Sequence, residues 1–190
     1  MGLLMMLAFS SALAASDPAP TPVLVELFTS EGCSSCPPAD ELLIDLEKTQ
    51  PVPGARIIVL SEHVDYWNRL GWTDPFSSQL FSARQHRYAE ALRKDGVYTP
   101  QMVVDGQGEF VGSDRRRAVA VIAEAARKTK APVELACRAE GAALKFTVRI
   151  PGPPSADSDV LLAILENDLQ SDVQRGENSG RKIQHRGVVR

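Results

Sequence analysis

The chain has 190 residues, a formal net charge of −3, 44% hydrophobic and 24% charged residues. That length suits one sizeable domain with a smaller appendage, and the composition is ordinary for a globular protein. The charge gives no general attraction to nucleic acid or an anionic membrane, and no apolar run is long enough to cross a bilayer as a helix of the mature chain.

Residues 3–14 form an apolar core ending in Ala12-Leu13-Ala14, a small-residue cleavage pattern before Ala15. Residues 1–14 therefore read as a signal peptide and residues 15–22, rich in proline, as a linker. The stretch lacks the usual Lys or Arg ahead of its core, which leaves open a start inside a longer signal, or a short anchor. Export implies a periplasmic or secreted protein, in a compartment where disulfides form and persist.

Residues 23–28 are apolar but for Glu26 and read as a short buried strand. Thr29-Ser30-Glu31-Gly32 carries turn chemistry, and Leu42, Leu43 and Leu46 then recur at helical spacing. Cys33-Ser34-Ser35-Cys36 thus lies where a strand ends and a helix begins. There the helix dipole and free N–H groups favour a thiolate at the first cysteine, and a thiol three residues on can resolve a mixed disulfide. Three other readings stay open: half of a zinc site, an inert structural disulfide, or two buried thiols. A zinc site usually needs a second pair, and only Cys137 is left over.

Residues 56–60 read as a second buried strand, making a strand–helix–strand unit with a parallel, right-handed crossover. Parallel strands end on the same edge, so His63 is expected on the edge that carries Cys33, where it can tune a thiol or ligate a metal. Tyr66, Trp67 and Trp72 are expected to pack beneath the next helix. That helix is expected from about Phe76 to Lys94, with Asp74 as N-cap, Pro75 at its first position, Gly96 past its end, and Phe76, Leu80, Tyr88 and Leu92 on one face. Thr99-Pro100 leads into a strand at 102–104. Asp105-Gly106 signals a hairpin to residues 109–111, and Ser113-Asp114 caps a helix with a stripe of Val119, Ile122, Ala123 and Ala126.

From Ala131 the pattern alternates with period two at 132–138 and 143–150. A proline-rich gap at 151–155 and an apolar run at 160–165 follow. Residues 131–190 read as a small antiparallel β module, separate from an α/β domain at 23–130 and ending in mid-strand.

The element order resembles the thioredoxin fold, with a helical insertion at 62–96. That resemblance implies Cys33 as the attacking cysteine, Cys36 as the resolving one, Thr99-Pro100 as a cis-proline dipeptide shaping the substrate groove, and Glu26 as the buried acid that tunes proton transfer. The stretches FTSEGCSSCPPAD, LSEHVDYWNRLGWTDPF, VYTPQMVVDG and RGENSGRKIQH together resemble the DUF1223 family of secreted bacterial proteins of unknown function. The expected activity is thiol–disulfide exchange on protein or small-molecule disulfides. Catalysis is expected from Cys33, Cys36, Pro100 and Glu26 and substrate contact from Thr99, Pro100 and His63, with no cofactor or metal. Two alternatives stand beside it: a copper or zinc module using Cys33, Cys36 and His63, and a redox-inert binding protein.

Overall fold

The computed structural model describes residues 19–152 and 159–190. The expected leader, half of the linker and part of the proline-rich gap lie outside these residues. Strand β1 (Thr21–Thr29), helix α1 (Pro37–Thr49) and strand β2 (Ala55–His63) form the parallel crossover unit. Strand β3 (Gln101–Val104) runs antiparallel to β1, and β4 (Gly108–Val111) returns along it. Asp105 and Gly106 make the turn between them with φ of 49° and 67°, the left-handed pair that a tight hairpin requires. Helix α3 (Arg115–Ala126) follows, with Asp114 as N-cap accepting from the Arg117 amide at 2.9 Å. Arg115 pairs with Asp45 on α1 at 2.6 Å, which gives one of the three arginines at the helix start a structural role.

Alternation along β1 separates two packing layers. Val23, Val25 and Leu27 join Leu42, Leu43 and Leu46 of α1 and Ala118 and Ile122 of α3 in the main core. Phe28 faces the other way, into a smaller cluster with Val64, Val103, Tyr66, Trp67 and Tyr88. Burial on both faces explains why the β1 sequence is a nearly unbroken apolar run rather than an alternating one.

Helix α2 (Gln79–Ala91) is shorter than the spacing predicts. Ser78 is its N-cap, and Asp74 is instead committed to backbone amides of Glu31 and Phe76 and to His63. The predicted apolar face is buried only in part: Leu80 is 75% exposed, Tyr88 packs on the Phe28 cluster, and the buried positions of the helix are Gln85 and Ala89. Gln85 donates to the Tyr98 carbonyl and the Gln101 side chain, so α2 is held by polar anchors that an apolar-stripe search passes over.

The C-terminal third divides, rather than forming one separate module. Strands β5 (Glu134–Glu140) and β6 (Ala143–Arg149) pair as their alternation predicts and form their own exposed two-stranded sheet, which carries the free, exposed Cys137. The apolar run at 160–165 contributes only its end, in β7 (Leu165–Glu166). Strands β8 (Leu169–Asp172) and β9 (Lys182–His185) make another two-stranded sheet, with β9 packed on α1. Strand β10 (Val188–Val189) pairs parallel to β2 and antiparallel to β7, giving a mixed sheet of order β4-β3-β1-β2-β10-β7. Two-residue strands carry too little periodicity to be read in advance. Among the described residues no helix is long and apolar enough to cross a membrane.

Candidate functional site

The chain leaves β1 through Ser30, Glu31 and Gly32, and the Cys33 amide bonds back to the Ser30 carbonyl at 3.2 Å. Cys36 is the N-cap of α1, with Pro37 and Pro38 opening the helix, where an N–H would have no intrahelical partner. Cys33 and Cys36 are joined in a disulfide with Cα atoms 5.4 Å apart. The Ser35 hydroxyl lies 3.4 Å from the Cys33 sulfur. Ser34 and Ser35 are exposed, yet both cysteines are fully buried.

The register of β1 with β2 sets Thr29 beside His63, so His63 does leave the same sheet edge as the cysteine turn. Its Nδ1 lies 2.7 Å from Asp74 Oδ2, which also accepts the Glu31 amide at 2.8 Å. Burial alone would raise the Asp74 carboxyl, but the bond to His63, its proximity, and the amides of Glu31 and Phe76 together hold it below the usual carboxylate range. The Glu31 carboxylate is buried between the Trp72 indole N–H at 2.7 Å and His185 Nε2 at 3.0 Å. The rings of His63 and His185 meet edge to face at 4.7 Å, and Phe76 packs against both. His63 Nε2 and His185 Nδ1 are buried without a protein hydrogen-bond partner.

Asp40 lies one helical turn beyond Cys36, and its amide bonds to the Cys36 carbonyl at 3.1 Å. Residues four apart share a helix face, so Asp40 lies on the face of α1 that Cys36 begins. Burial pushes its carboxyl up to about 7, against an opposing pull from His185. Glu26 is placed differently. It alternates with Val25 and Leu27 and faces α2, where Arg84 pairs with it at 2.6 Å and the Tyr88 hydroxyl bonds to it. Glu62 joins this group, with its carboxyl raised to about 8 by burial and by neighbouring Glu26.

The Thr99–Pro100 peptide bond is cis. The Trp67 indole N–H donates to Thr99 Oγ1 at 2.8 Å, and a Cβ built on Gly32 would lie 3.1 Å from Trp67 Cβ. A Cβ built on Gly112 would lie 3.2 Å from both Ala39 Cβ and Pro100 Cβ. Trp67 thus links Thr99 to Gly32, just before the cysteine turn, and Gly112 sits between Pro100 and Ala39 in the first turn of α1. Trp72 serves this turn rather than packing under α2, whereas Tyr66, bonded to Gln85, and Trp67, in the cluster with Tyr88, keep the predicted place.

Residues 173–181 complete the site. Glu177 accepts the Ser34 amide at 3.0 Å, and the Asn178 side-chain amide donates to the carbonyls of Glu31 at 2.9 Å and Cys33 at 2.8 Å. The sequence reading names Asp74 only as a helix cap and passes over Glu31, Asp40, Glu177, Asn178 and His185 as site residues. A signal existed, since all six lie in three of the four motif stretches, and the structure folds those stretches onto one edge.

Fold and site together define a mixed α/β protein with a CxxC disulfide at a strand-to-helix junction, backed by buried carboxylates and two histidines. The chain belongs to the family described as a protein of unknown function, DUF1223, whose model matches residues 24–190. It is also similar to a protein from Agrobacterium tumefaciens of known crystal structure, at 32% identity and a TM-score of 0.71, over 90% of this chain and 71% of that one. Comparison with curated proteins found no match.

Proposed function

We propose that this chain is an exported thiol–disulfide oxidoreductase of thioredoxin-like fold, acting on protein or small-molecule disulfides. The observation that carries the reading is the Cys33–Cys36 disulfide at the N-terminus of α1, flanked by a cis Thr99–Pro100. Cys33 is the nucleophile, because it precedes the helix, next to the exposed Ser34 and Ser35 and the Ser35 hydroxyl. In the reduced protein the Cys33 thiolate attacks a substrate disulfide, forming a mixed disulfide and releasing one substrate thiolate, which takes up a proton. Cys36 then loses its proton and attacks Cys33, which releases the second substrate thiol and leaves the protein oxidised by two electrons. Cys36 is buried, so its proton passes to a neighbour, and Asp40 is the carboxyl on the same helix face with a raised pKa. His63 is oriented by Asp74, and Thr99 and Pro100 are assigned to substrate contact. Glu26, held by Arg84, anchors α2 to the sheet.

Turnover tests this directly: the reduced chain should reduce a low-molecular-weight disulfide catalytically with a regenerating dithiol, and Cys33→Ser should abolish it. A second reading, a copper or zinc site on Cys33, Cys36 and His63, has the buried, unpartnered Nε2 of His63 on its side, but among the described residues no group of three His, Cys, Asp or Glu side chains is placed to hold a metal ion. Stoichiometric metal in the reduced protein, lost in His63→Ala, would favour it.

A further inference from the structure

A redox pair must meet its substrate, yet Cys33 and Cys36 are both fully buried. Ala39 and Leu43, on the helix that Cys36 caps, belong to the main core cluster. One neighbouring segment is different in kind. The loop between β8 and β9 lies against the backbone of Cys33 and Ser34, and of residues 174–180 only Asn178 is buried. The loop is closed on itself by bonds from the Val173 amide to Arg181, the Gly180 amide to Val173 and the Ser179 hydroxyl to Gln174. It therefore can move as a unit about its stem. Three hydrogen bonds hold its tip on the cysteine turn, two from the Asn178 amide and one to the Glu177 carboxylate. Besides these, Gly176 rests on Trp72, where a Cβ would lie 3.2 Å from Trp72 Cβ. A segment with few buried apolar contacts and exposed polar tethers opens at a lower free energy than the core around it.

We propose that residues 174–180 are a gate over the Cys33–Cys36 disulfide, with Asn178 as its latch and Glu177 as a second tether. With the gate docked, the disulfide is shielded and the Ser34 amide is occupied by a carboxylate. With the gate lifted, the Cys33 sulfur can be reached and Ser34 N–H is free at the helix N-terminus. The gate regulates access to the site assigned above and so rests on that assignment.

The test uses the oxidised full chain and dithiothreitol. One dithiothreitol thiolate attacks Cys33, the Cys33–Cys36 bond breaks, and Cys36 leaves as a thiolate that takes up a proton. The second dithiothreitol thiol displaces Cys33 and closes the cyclic disulfide, so two electrons reach the protein. Loss of the Asn178 bonds should speed this reduction by roughly tenfold or more in Asn178→Ala, with a smaller gain in Glu177→Ala. Glu177 is exposed, so its variant keeps the core intact and the test remains decisive if Asn178→Ala fails to fold. In the wild type the rate should level off at high dithiothreitol, at the rate of gate opening, and the plateau should rise in the variants. Rates that climb without levelling off and lie within about twofold of wild type in both variants would overturn the gate. Acceleration without catalytic turnover would leave the gate standing and sink the oxidoreductase assignment; turnover without acceleration would do the reverse.

Discussion

The side-chain amide of Asn178 donates to the carbonyl of Cys33 at 2.8 Å, across 145 residues of sequence. The same nitrogen reaches the Glu31 carbonyl, so one residue from the C-terminal segment ties down the turn that presents the cysteines. The site is therefore not complete within the α/β unit at 23–130. It needs the return of the chain through β8, β9 and β10.

That dependence makes Gly187 a sensitive position. It has φ of +65°, and a Cβ there would lie 2.6 Å from the Val59 carbonyl, with no flexible neighbour to yield. Gly187→Ala should destabilise the protein by more than about 1 kcal/mol, since both backbone conformation and contact oppose it. Chemical denaturation measures this. A variant as stable as wild type would mean that β10 does not dock on β2 as described.

Replacing Cys36 by Ala should leave Cys33 unable to release a bound substrate, because no second thiol remains to displace it. Exposure of the reduced variant to glutathione disulfide should give a stable adduct on Cys33 by mass spectrometry. Cys33→Ala should give little adduct on Cys36, because both sulfurs are equally buried and the gate loop is tied to the Cys33 end of the turn, the end its lifting uncovers. Adducts that favour Cys36 would reverse the two roles.

Asp40 links the site to pH. Its carboxyl is raised from 3.8 to about 7 by burial, so the folded protein binds a proton there that the unfolded chain has lost. The resulting stability is complete below about pH 4 and is lost as pH rises through about 7. Asp40→Asn removes that dependence, so relative to wild type the variant should be more stable at pH 8 than at pH 5, by up to a few kcal/mol. If Asp40 also takes the Cys36 proton, the variant should slow mixed-disulfide resolution while leaving the first attack by Cys33 unchanged. An equal effect on both steps would assign Asp40 to structure alone.

Glu26 offers a contrast on the opposite layer. Arg84→Ala leaves a buried carboxylate without its cation and should cost roughly 3 kcal/mol or more in stability, while oxidised-chain reduction rates stay near wild type. A large change in those rates with no loss of stability would return Glu26 to the chemistry of the disulfide.

What the sequence made legible follows from where local rules govern. The β1–α1–β2 unit, the Asp105-Gly106 turn and the Asp114 cap are each dictated by residues within one turn or one strand, and each is found. That His63 leaves the sheet edge carrying Cys33 follows from the parallel crossover, and the register sets it beside Thr29. Helix α2 departs from its apolar spacing because its buried anchor is Gln85, a polar residue bonded to Tyr98 and Gln101. Asp74 satisfies the usual description of a helix cap but is claimed by His63 and Glu31, 11 and 43 residues away in sequence. Asn178 and His185 stand in a polar stretch with no period, and only the completed sheet shows that they reach Glu31. Long-range polar contacts of this kind leave no trace in hydropathy.

The central claim, that Cys33 and Cys36 exchange electrons with substrates, is tested most directly by the reduction potential of their disulfide, measured in dithiothreitol redox buffers at neutral pH. The account predicts a value within the range of thiol–disulfide oxidoreductases, about −120 to −270 mV. A value below about −300 mV, the range of disulfides that only staple a fold, would contradict it.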